Sequence, residues 1–245
     1  MKEGYRLFTE QLPAVTKAYP SFCIIRADHF YLKGTLDIVD SNGKYWDTYN
    51  IEIRHCDNFP FHFPIVHETG GKIPRILDWH IKPHDGSCCI TVPIKEVLYC
   101  KNGITIIQFI EDHVIPYFFN QTYRKTEGVY ANGEYGHGVF GKIDFYVELF
   151  ETDKMNELVN MLKKCIFLKG NLNKKSSCIC GSKMRMRKCH QDIYQVTKTI
   201  NIKMLNDDLQ QIYALLKRVN NISSPTIPSQ PHAPSATLPD HDNLA

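Results

Sequence analysis

The chain carries three strand-like segments within residues 21–55, and these constrain its fold more than any other feature. Their sequences are SFCIIRA, FYLKGTLDIV and YWDTYNIEIRH. All three are rich in the β-branched and aromatic residues that strands prefer. The turn sequence SNGK separates the second segment from the third and predicts a hairpin. The segments therefore predict an antiparallel sheet in the first quarter of the chain.

Helices are predicted on both sides of these strands. Thr105 and Gln108 form a capping-box pattern before a buried helix, which we expect to be disturbed near Pro116. Pro13 is expected to kink or restart an earlier helix. Residues 57–87 are rich in Pro, Gly and His and are predicted to be ordered loop. The earlier helix is indicated by apolar residues at helical spacing: Tyr5, Phe8, Leu12 and Val15.

The order of these elements indicates the fold class. A helix is followed by strands, an irregular segment, a buried helix and a glycine-rich segment at 121–142. Strands followed by helices favour an α+β fold over a parallel, doubly wound sheet. Two more helices are expected downstream, with Gly170 just past the first. Their apolar stripes are Met155, Leu158, Val159, Leu162 and Ile166, and then Leu205, Leu209, Ile212, Leu216 and Val219.

Cysteine usage indicates a reducing compartment. The chain has nine cysteines, an odd number, and its first residues, MKEGYRLFTEQL, lack the apolar core of a signal peptide. No apolar run approaches the length of a membrane span. We therefore expect a cytoplasmic protein whose thiols are reduced. In such a protein cysteines serve in metal sites, catalysis or the core, which makes a disulfide the weakest interpretation.

The sequence CICGSKMRMRKCH, residues 178–190, predicts a metal site. Three cysteines and a histidine lie within thirteen residues, and Zn²⁺ takes four such ligands in a closed tetrahedron when its role is structural. The Gly-Ser pair provides a turn between the two ligand pairs. We predict a structural Zn²⁺ held by Cys178, Cys180, Cys189 and His190. The pattern closely resembles the SEC-C motif, a zinc-binding module found at the tail of the secretion motor ATPase and of many unrelated proteins.

The segment around this motif is strongly basic. Between Leu158 and Gln191 there are nine Lys or Arg residues and no Asp or Glu, although the whole chain has a net charge of only +3. No aromatic residue interleaves the basic residues of 183–188, so nucleic-acid binding by base stacking is unsupported. The resemblance to SEC-C implies a protein partner for the basic face, formed by Lys183, Arg185, Arg187 and Lys188. Cys165 lies on an apolar helix face and is predicted to be core.

The segment DWHIKPHDGSCCIT, residues 78–91, contains adjacent cysteines. A disulfide, a metal site, a buried apolar pair and a nucleophile are the alternatives. Neighbours on an extended segment point in opposite directions, so Cys88 and Cys89 are expected to differ in burial. The residues alone do not choose between core and catalysis for Cys89.

The surrounding motifs resemble those of ubiquitin-conjugating (E2) enzymes, most closely the bacterial E2-like proteins. FPFHFPIV, residues 59–66, is similar to the YPF-x-x-P-x-V element of that family. The family's histidine and its G-x-x-C-[LI] pattern match His80, Gly86 and Cys89. The resemblance covers roughly residues 5–125. It implies a UBC-like fold and assigns the nucleophile to Cys89. GEYGHGVFG is similar to a later His-Gly element and adds His137.

The resemblance implies an acyltransferase. Such an enzyme accepts a ubiquitin-like protein from an E1-like enzyme as a cysteine thioester and transfers it to a lysine of a protein target. A bacterial conjugation or antiphage defence operon is the expected setting. The implied catalytic group is Cys89, His80, His137 and Asp85. Lys82 stands where the family has an asparagine, and the tryptophan usual after the cysteine is absent.

Three alternatives stay open at this point. One is a catalytically inactive E2-fold binding protein, one is a zinc-bearing protein-interaction adaptor of unrelated fold, and one is a cysteine hydrolase that pairs Cys89 with His137. The predicted organisation is an E2-like domain at 1–150, a linker helix at 151–172, a zinc module at 173–192, a helical region at 193–220 and a disordered tail at 221–245.

Overall fold

A computed structural model describes residues 2–131 and 133–221 of the chain. The helices are α1 Glu3–Ala18, α2 Pro93–Tyr99, α3 Ile106–Phe109, α4 Ile115–Glu127, α5 Val139–Phe150, α6 Met155–Leu168, α7 Met186–Cys189, α8 Gln191–Thr199 and α9 Ile202–Asn221. The strands are β1 Phe22–Arg26, β2 Phe30–Val39, β3 Tyr45–Arg54 and β4 Ile65–Glu68. The tail predicted to be disordered lies, beyond Asn221, outside the described residues.

The four strands form one antiparallel sheet in the order β1-β2-β3-β4, so the α+β class is confirmed. The predicted hairpin joins β2 to β3. The Asp40 carboxylate stabilises its turn by accepting hydrogen bonds from the N–H groups of Asn42 (2.9 Å) and Lys44 (3.0 Å). The sequence did not predict β4, which pairs Val66 with Ile53 at the edge of the sheet.

Helix α1 buries Phe8, Leu12 and Val15, as its spacing predicts. The expected restart at Pro13 does not occur, because the helix continues without a break to Ala18. Pro13 lies on the exposed side of α1. The carbonyl group that loses its helical hydrogen bond there can be hydrated, which lowers the cost of a proline inside the helix.

The predicted capping box is present at the start of α3, where the Thr105 hydroxyl accepts a hydrogen bond from the Gln108 N–H (3.2 Å). The predicted disturbance also occurs. A π-helical turn, Ile110–Val114, separates α3 from α4 immediately before Pro116. A proline offers no N–H to the carbonyl four residues earlier and its ring crowds that turn, so a wider turn at this place is expected.

Two hydrophobic cores organise the described residues. The first packs α1, α3 and α4 against the sheet, around Phe8, Tyr49 and Phe118. The second packs α2, α5, α6, α8 and α9 together, and it includes Cys165, as predicted. Helix α5 belongs to this second core although it lies within residues 1–150. The domain boundaries at 150, 172, 192 and 220 stay predictions.

The downstream apolar stripes are only partly buried. Leu158 and Leu162 of α6, and Leu205 and Ile212 of α9, are in the second core, whereas Val219 near the end of α9 is exposed. Among the described helices, none combines the length and the apolar character needed to cross a bilayer.

We predict that Gly34→Ala destabilises the sheet. A Cβ atom on Gly34 would lie 2.2 Å from the carbonyl oxygen of Ser21, so β1 and β2 would have to move apart. Overpacking of this kind costs about 1–3 kcal/mol in the free energy of unfolding, measurable by urea denaturation. Gly170→Ala is the control, because a Cβ atom there meets nothing within 4 Å. Equal stability of the two variants would contradict the prediction.

Candidate functional site

The cysteine segment is a tight hairpin that follows β4. Ile81 and Cys88 form an antiparallel bridge, and the Lys82 N–H donates to the Ser87 carbonyl oxygen (2.9 Å). Gly86 closes the turn with φ +76°, a backbone conformation that favours glycine. The Asp85 carboxylate accepts hydrogen bonds from the N–H and the hydroxyl of Ser87, both 2.9 Å. The position of Asp85, a predicted site residue, is therefore set by the turn.

The two adjacent cysteines lie in different environments, as the alternation predicts. Cys88 is 6% exposed and packs in the first core, and burial raises the pKa of its thiol to about 12. Cys89 is half-buried. Burial raises the pKa of Cys89 as well, while the nearby Lys82 ammonium acts in the opposite direction and the Asp85 carboxylate adds to the rise. Of these two cysteines, Cys89 is the more exposed.

His80 lies beside Cys89 in the backbone pairing. It adopts a left-handed conformation, with φ 51° and ψ 35°, at the end of a 3₁₀ turn, Leu77–Trp79. Its carbonyl oxygen accepts hydrogen bonds from the Cys89 N–H (2.7 Å) and from the Tyr117 hydroxyl (3.0 Å). A non-glycine residue in this conformation is uncommon, and here several hydrogen bonds hold it.

The side chains of His80 and His137, two of the predicted site residues, lie next to each other. Their ring centroids are 4.5 Å apart. Burial and the neighbouring His80 lower the pKa of His137. Glu134 joins the two histidines, with its Oε2 atom 2.9 Å from Nε2 of His80. The sequence interpretation missed Glu134, although it lies three residues before His137 in the same motif.

Helix α4 supplies further side chains that hold this region and that sequence reasoning did not find. Gln121 donates from Nε2 to the carbonyl oxygen of Trp79 (3.1 Å). Arg124 forms an ion pair with Asp78, and its guanidinium lies over the rings of Trp79 (4.3 Å) and Tyr130 (4.8 Å). The sequence contained a signal for both residues. Gln121 and Arg124 follow Tyr117 at i+4 and i+7, and residues at this spacing share one helix face.

The predicted metal ligands also converge. Cys178, Cys180, Cys189 and His190 each bring a ligand atom to within 4.8 Å of the others. The sulfur atoms of Cys180 and Cys189 are 3.6 Å apart, and Nδ1 of His190 is 3.2 Å from Cys178 Sγ and 3.1 Å from Cys189 Sγ. A tetrahedral ion with bonds of 2.0–2.3 Å would separate its ligand atoms by about 3.5–3.8 Å. The four residues therefore form a cluster that could hold a metal ion.

Local structure positions the cluster from both sides. A β-bridge between Ser177 and Arg185 brings the two ligand pairs together, and the Cys178 N–H donates to the Met184 carbonyl oxygen (2.8 Å). The Lys164 ammonium on α6 donates to the carbonyl oxygen of Ile179 (2.7 Å). Cys178 and Ile179 are buried in the second core. The cluster is thus attached to the helical core, and its basic face, Lys183, Arg185, Arg187 and Lys188, is exposed.

The environment of the cluster suits a thiolate ligand. Burial opposes ionisation of Cys180, but hydrogen bonding with the Ser182 hydroxyl (3.2 Å), with the Ser182 N–H that donates to Sγ (3.4 Å), and with Cys178 and Cys189 lowers its pKa to about 6. Burial raises the pKa of Cys178. A bound cation would stabilise both thiolates, since metals bind the deprotonated form.

Comparison with protein-family models, with curated proteins and with solved structures finds no match to this chain. The site is therefore interpreted from its own geometry.

We predict that the double variant Cys178→Ser/Cys180→Ser loses one equivalent of bound divalent metal relative to the unsubstituted protein. Half of the ligand set is removed, and a closed site does not tolerate that loss. Elemental analysis after gel filtration measures the metal. Cys23→Ser is the control, because Cys23 is exposed and distant in sequence from the cluster. Unchanged metal content in the double variant would rule out this cluster as the binding site.

We predict that iodoacetamide modifies Cys89 faster than Cys88, at a rate that increases with pH toward and beyond the ordinary thiol pKa. Cys89 is expected to react faster because Cys88 is more deeply buried. The rates are expected to rise with pH because the pKa of both thiols is raised and only the thiolate reacts. Lys82→Met removes a charge that favours the thiolate, so the Cys89 rate should fall about two- to threefold, as for an exposed charge interaction of about 0.5 kcal/mol.

Peptide mass spectrometry of time points measures this reaction. The control is Lys17→Met, which removes an exposed lysine at the end of α1. A Lys82→Met rate equal to that of the control would contradict the assigned electrostatic effect.

Proposed function

We propose that the chain is an E2-like enzyme that carries a ubiquitin-like protein as a thioester on Cys89 and transfers it to a lysine of a protein target. The observation that carries the proposal is the difference in burial between the adjacent cysteines. Cys88 is buried, and the pKa of its thiol is about 12. Cys89 is half-buried, and the charged side chains of Lys82 and Asp85 act on its thiol. A nucleophile needs such access, and a core cysteine does not.

The order of elements supports the same proposal. A helix precedes a four-stranded antiparallel meander, the cysteine segment follows β4, and the buried helical stretch α3–α4 comes next. This is the order expected for a UBC-like fold. The contacts from α4 to the backbone of residues 78–80 agree with a helix that supports the reactive segment.

The proposed reaction has two steps. The Cys89 thiolate attacks the carbonyl carbon of the E1-bound thioester and releases the E1 thiolate. A lysine amine then attacks the Cys89 thioester, releases the Cys89 thiolate and loses a proton to a base. His137 has a lowered pKa and is the candidate base. The Lys82 ammonium, which stands in place of the family's asparagine, would stabilise negative charge on the thiolate and on the oxyanion.

The metal in this proposal is a structural Zn²⁺ at Cys178, Cys180, Cys189 and His190. Three sulfur ligands and one imidazole form a closed set that suits Zn²⁺ and leaves no position for catalysis. Ion binding would stabilise the C-terminal core around α6 and α8. The exposed basic face beside the cluster is proposed to bind an acidic surface of the E1-like enzyme or of the target.

The decisive assay mixes the protein with its cognate E1-like enzyme, ubiquitin-like protein and ATP, and follows the products on a non-reducing gel. The cognate pair is to be sought among the genes adjacent to the one for this chain. We expect an adduct that disappears on addition of thiol, persists in Cys88→Ala and is absent from Cys89→Ala. An adduct abolished by Cys88→Ala in a folded protein, and retained by Cys89→Ala, would overturn the assignment.

An inactive E2-fold binding protein is the second candidate function. The raised pKa of Cys89 and the presence of Lys82 where the family has asparagine favour it. This candidate predicts no adduct with the unsubstituted protein, together with co-elution of the ubiquitin-like protein that is equal for Cys89→Ala and the unsubstituted chain.

A further inference from the structure

A second group of metal-ligand side chains lies next to the cysteine segment. His80, Glu134 and His137, here called the His80 trio, each offer one ligand atom, and these atoms all lie within 4.8 Å of one another. Two imidazoles and one carboxylate form a recurrent set of protein ligands for Zn²⁺, in which the fourth position stays open to water or substrate. We propose that the His80 trio binds a divalent transition-metal ion of the Zn²⁺ type, with one open coordination position.

The first ligand of the trio is rigid. The His80 side chain is 15% exposed, and its backbone is held by the Leu77 carbonyl oxygen, the Cys89 N–H and the Tyr117 hydroxyl. The ring of His80 contacts Glu134, with its Nε2 atom 2.9 Å from Oε2. A ligand that is already fixed loses little conformational entropy when an ion binds, which favours binding.

The other two ligands come from a segment that is anchored to α5. The Gly136 N–H donates to the Asp144 carboxylate (2.7 Å), and the Phe140 N–H donates to the His137 carbonyl oxygen (3.2 Å). The segment approaches α5 so closely that a Cβ atom on Gly141 would lie 2.2 Å from the Gly136 carbonyl oxygen. Glu134 and His137 therefore belong to a segment whose position is fixed by its contacts with α5.

Charge and donor type also favour a cation of this class. With neutral imidazoles, the trio carries one negative charge, and the guanidinium of Arg124 is paired with Asp78. Imidazole nitrogens select zinc-like ions over Ca²⁺ and Mg²⁺, which take oxygen ligands. Cys89 is not a member of the set, so its thiol stays separate from the proposed ion.

This proposal does not depend on the proposed transfer reaction, and its test uses the full chain alone. A His137 ring that is bound to an ion could not also accept the lysine proton, so with the ion in place another group would serve as the base of that reaction. Protein that retains one equivalent of Zn²⁺ after treatment with a weak chelator is titrated with Co²⁺. We expect a further equivalent to bind, with the visible d–d absorption of a low-coordinate cobalt site. Thiolate-to-cobalt charge transfer in the near ultraviolet should be absent, because the trio has no sulfur ligand. Such charge transfer would instead report exchange into the cysteine cluster.

Variants identify the ligands. Glu134→Gln and His137→Ala should each weaken Co²⁺ binding by more than the roughly 10–100-fold that loss of an outer-shell partner costs. His84→Ala is the matched control and should bind like the unsubstituted protein, since the His84 side chain is 74% exposed and pairs only with Asp85 in the described residues. The urea midpoint of the metal-free variants checks that each one is folded.

Two results would overturn the proposal. One is a titration of the unsubstituted protein with no Co²⁺ bound beyond the cysteine cluster. The other is a further equivalent that Glu134→Gln and His137→Ala both retain with unchanged affinity, which would place the ion elsewhere.

Discussion

The carbonyl oxygen of His80 is the point on which the candidate site depends. It accepts one hydrogen bond from the Cys89 N–H and another from the Tyr117 hydroxyl. The first bond joins the two arms of the cysteine hairpin, and the second joins that hairpin to α4. Because both donors converge on a residue with positive φ, the backbone that carries Cys89 and the ring that faces Glu134 are positioned together.

The site also connects the two cores. Cys88 packs in the first core, whereas Val92 and Ile94, only a few residues later, pack in the second with α5, α6 and the buried part of the cysteine cluster. The second core is reinforced by a buried carboxylate, Asp208, which pairs with Lys142 (2.5 Å) and accepts a hydrogen bond from Tyr146 (3.0 Å). Loosening of the cysteine cluster would therefore act on the element that directly follows the cysteine hairpin, and not only on the C-terminal helices.

Local signals explain which features the sequence could predict. Long alternating strands, a capping box and a compact Cys/His pattern each depend on neighbouring residues, and all three are present as expected. Strand β4 has four residues and exists because Ile65–Glu68 pairs with β3, while α2 has seven residues and begins at a proline. Such short elements depend on tertiary pairing. Glu134 was missed for the same reason, because its contact with His80 forms only in the folded chain.

The raised pKa of Cys89 argues only weakly against catalysis by this thiol. Each unit by which a thiol pKa exceeds the ambient pH reduces the thiolate fraction about tenfold, but the remaining thiolate is more nucleophilic, with a Brønsted slope of about 0.4–0.5. The net loss in rate is then only about three- to fourfold per unit. Lys82 already offsets part of the effect of burial on Cys89. Access therefore matters more than acidity at this site, and access is the property that separates Cys89 from the buried Cys88 beside it.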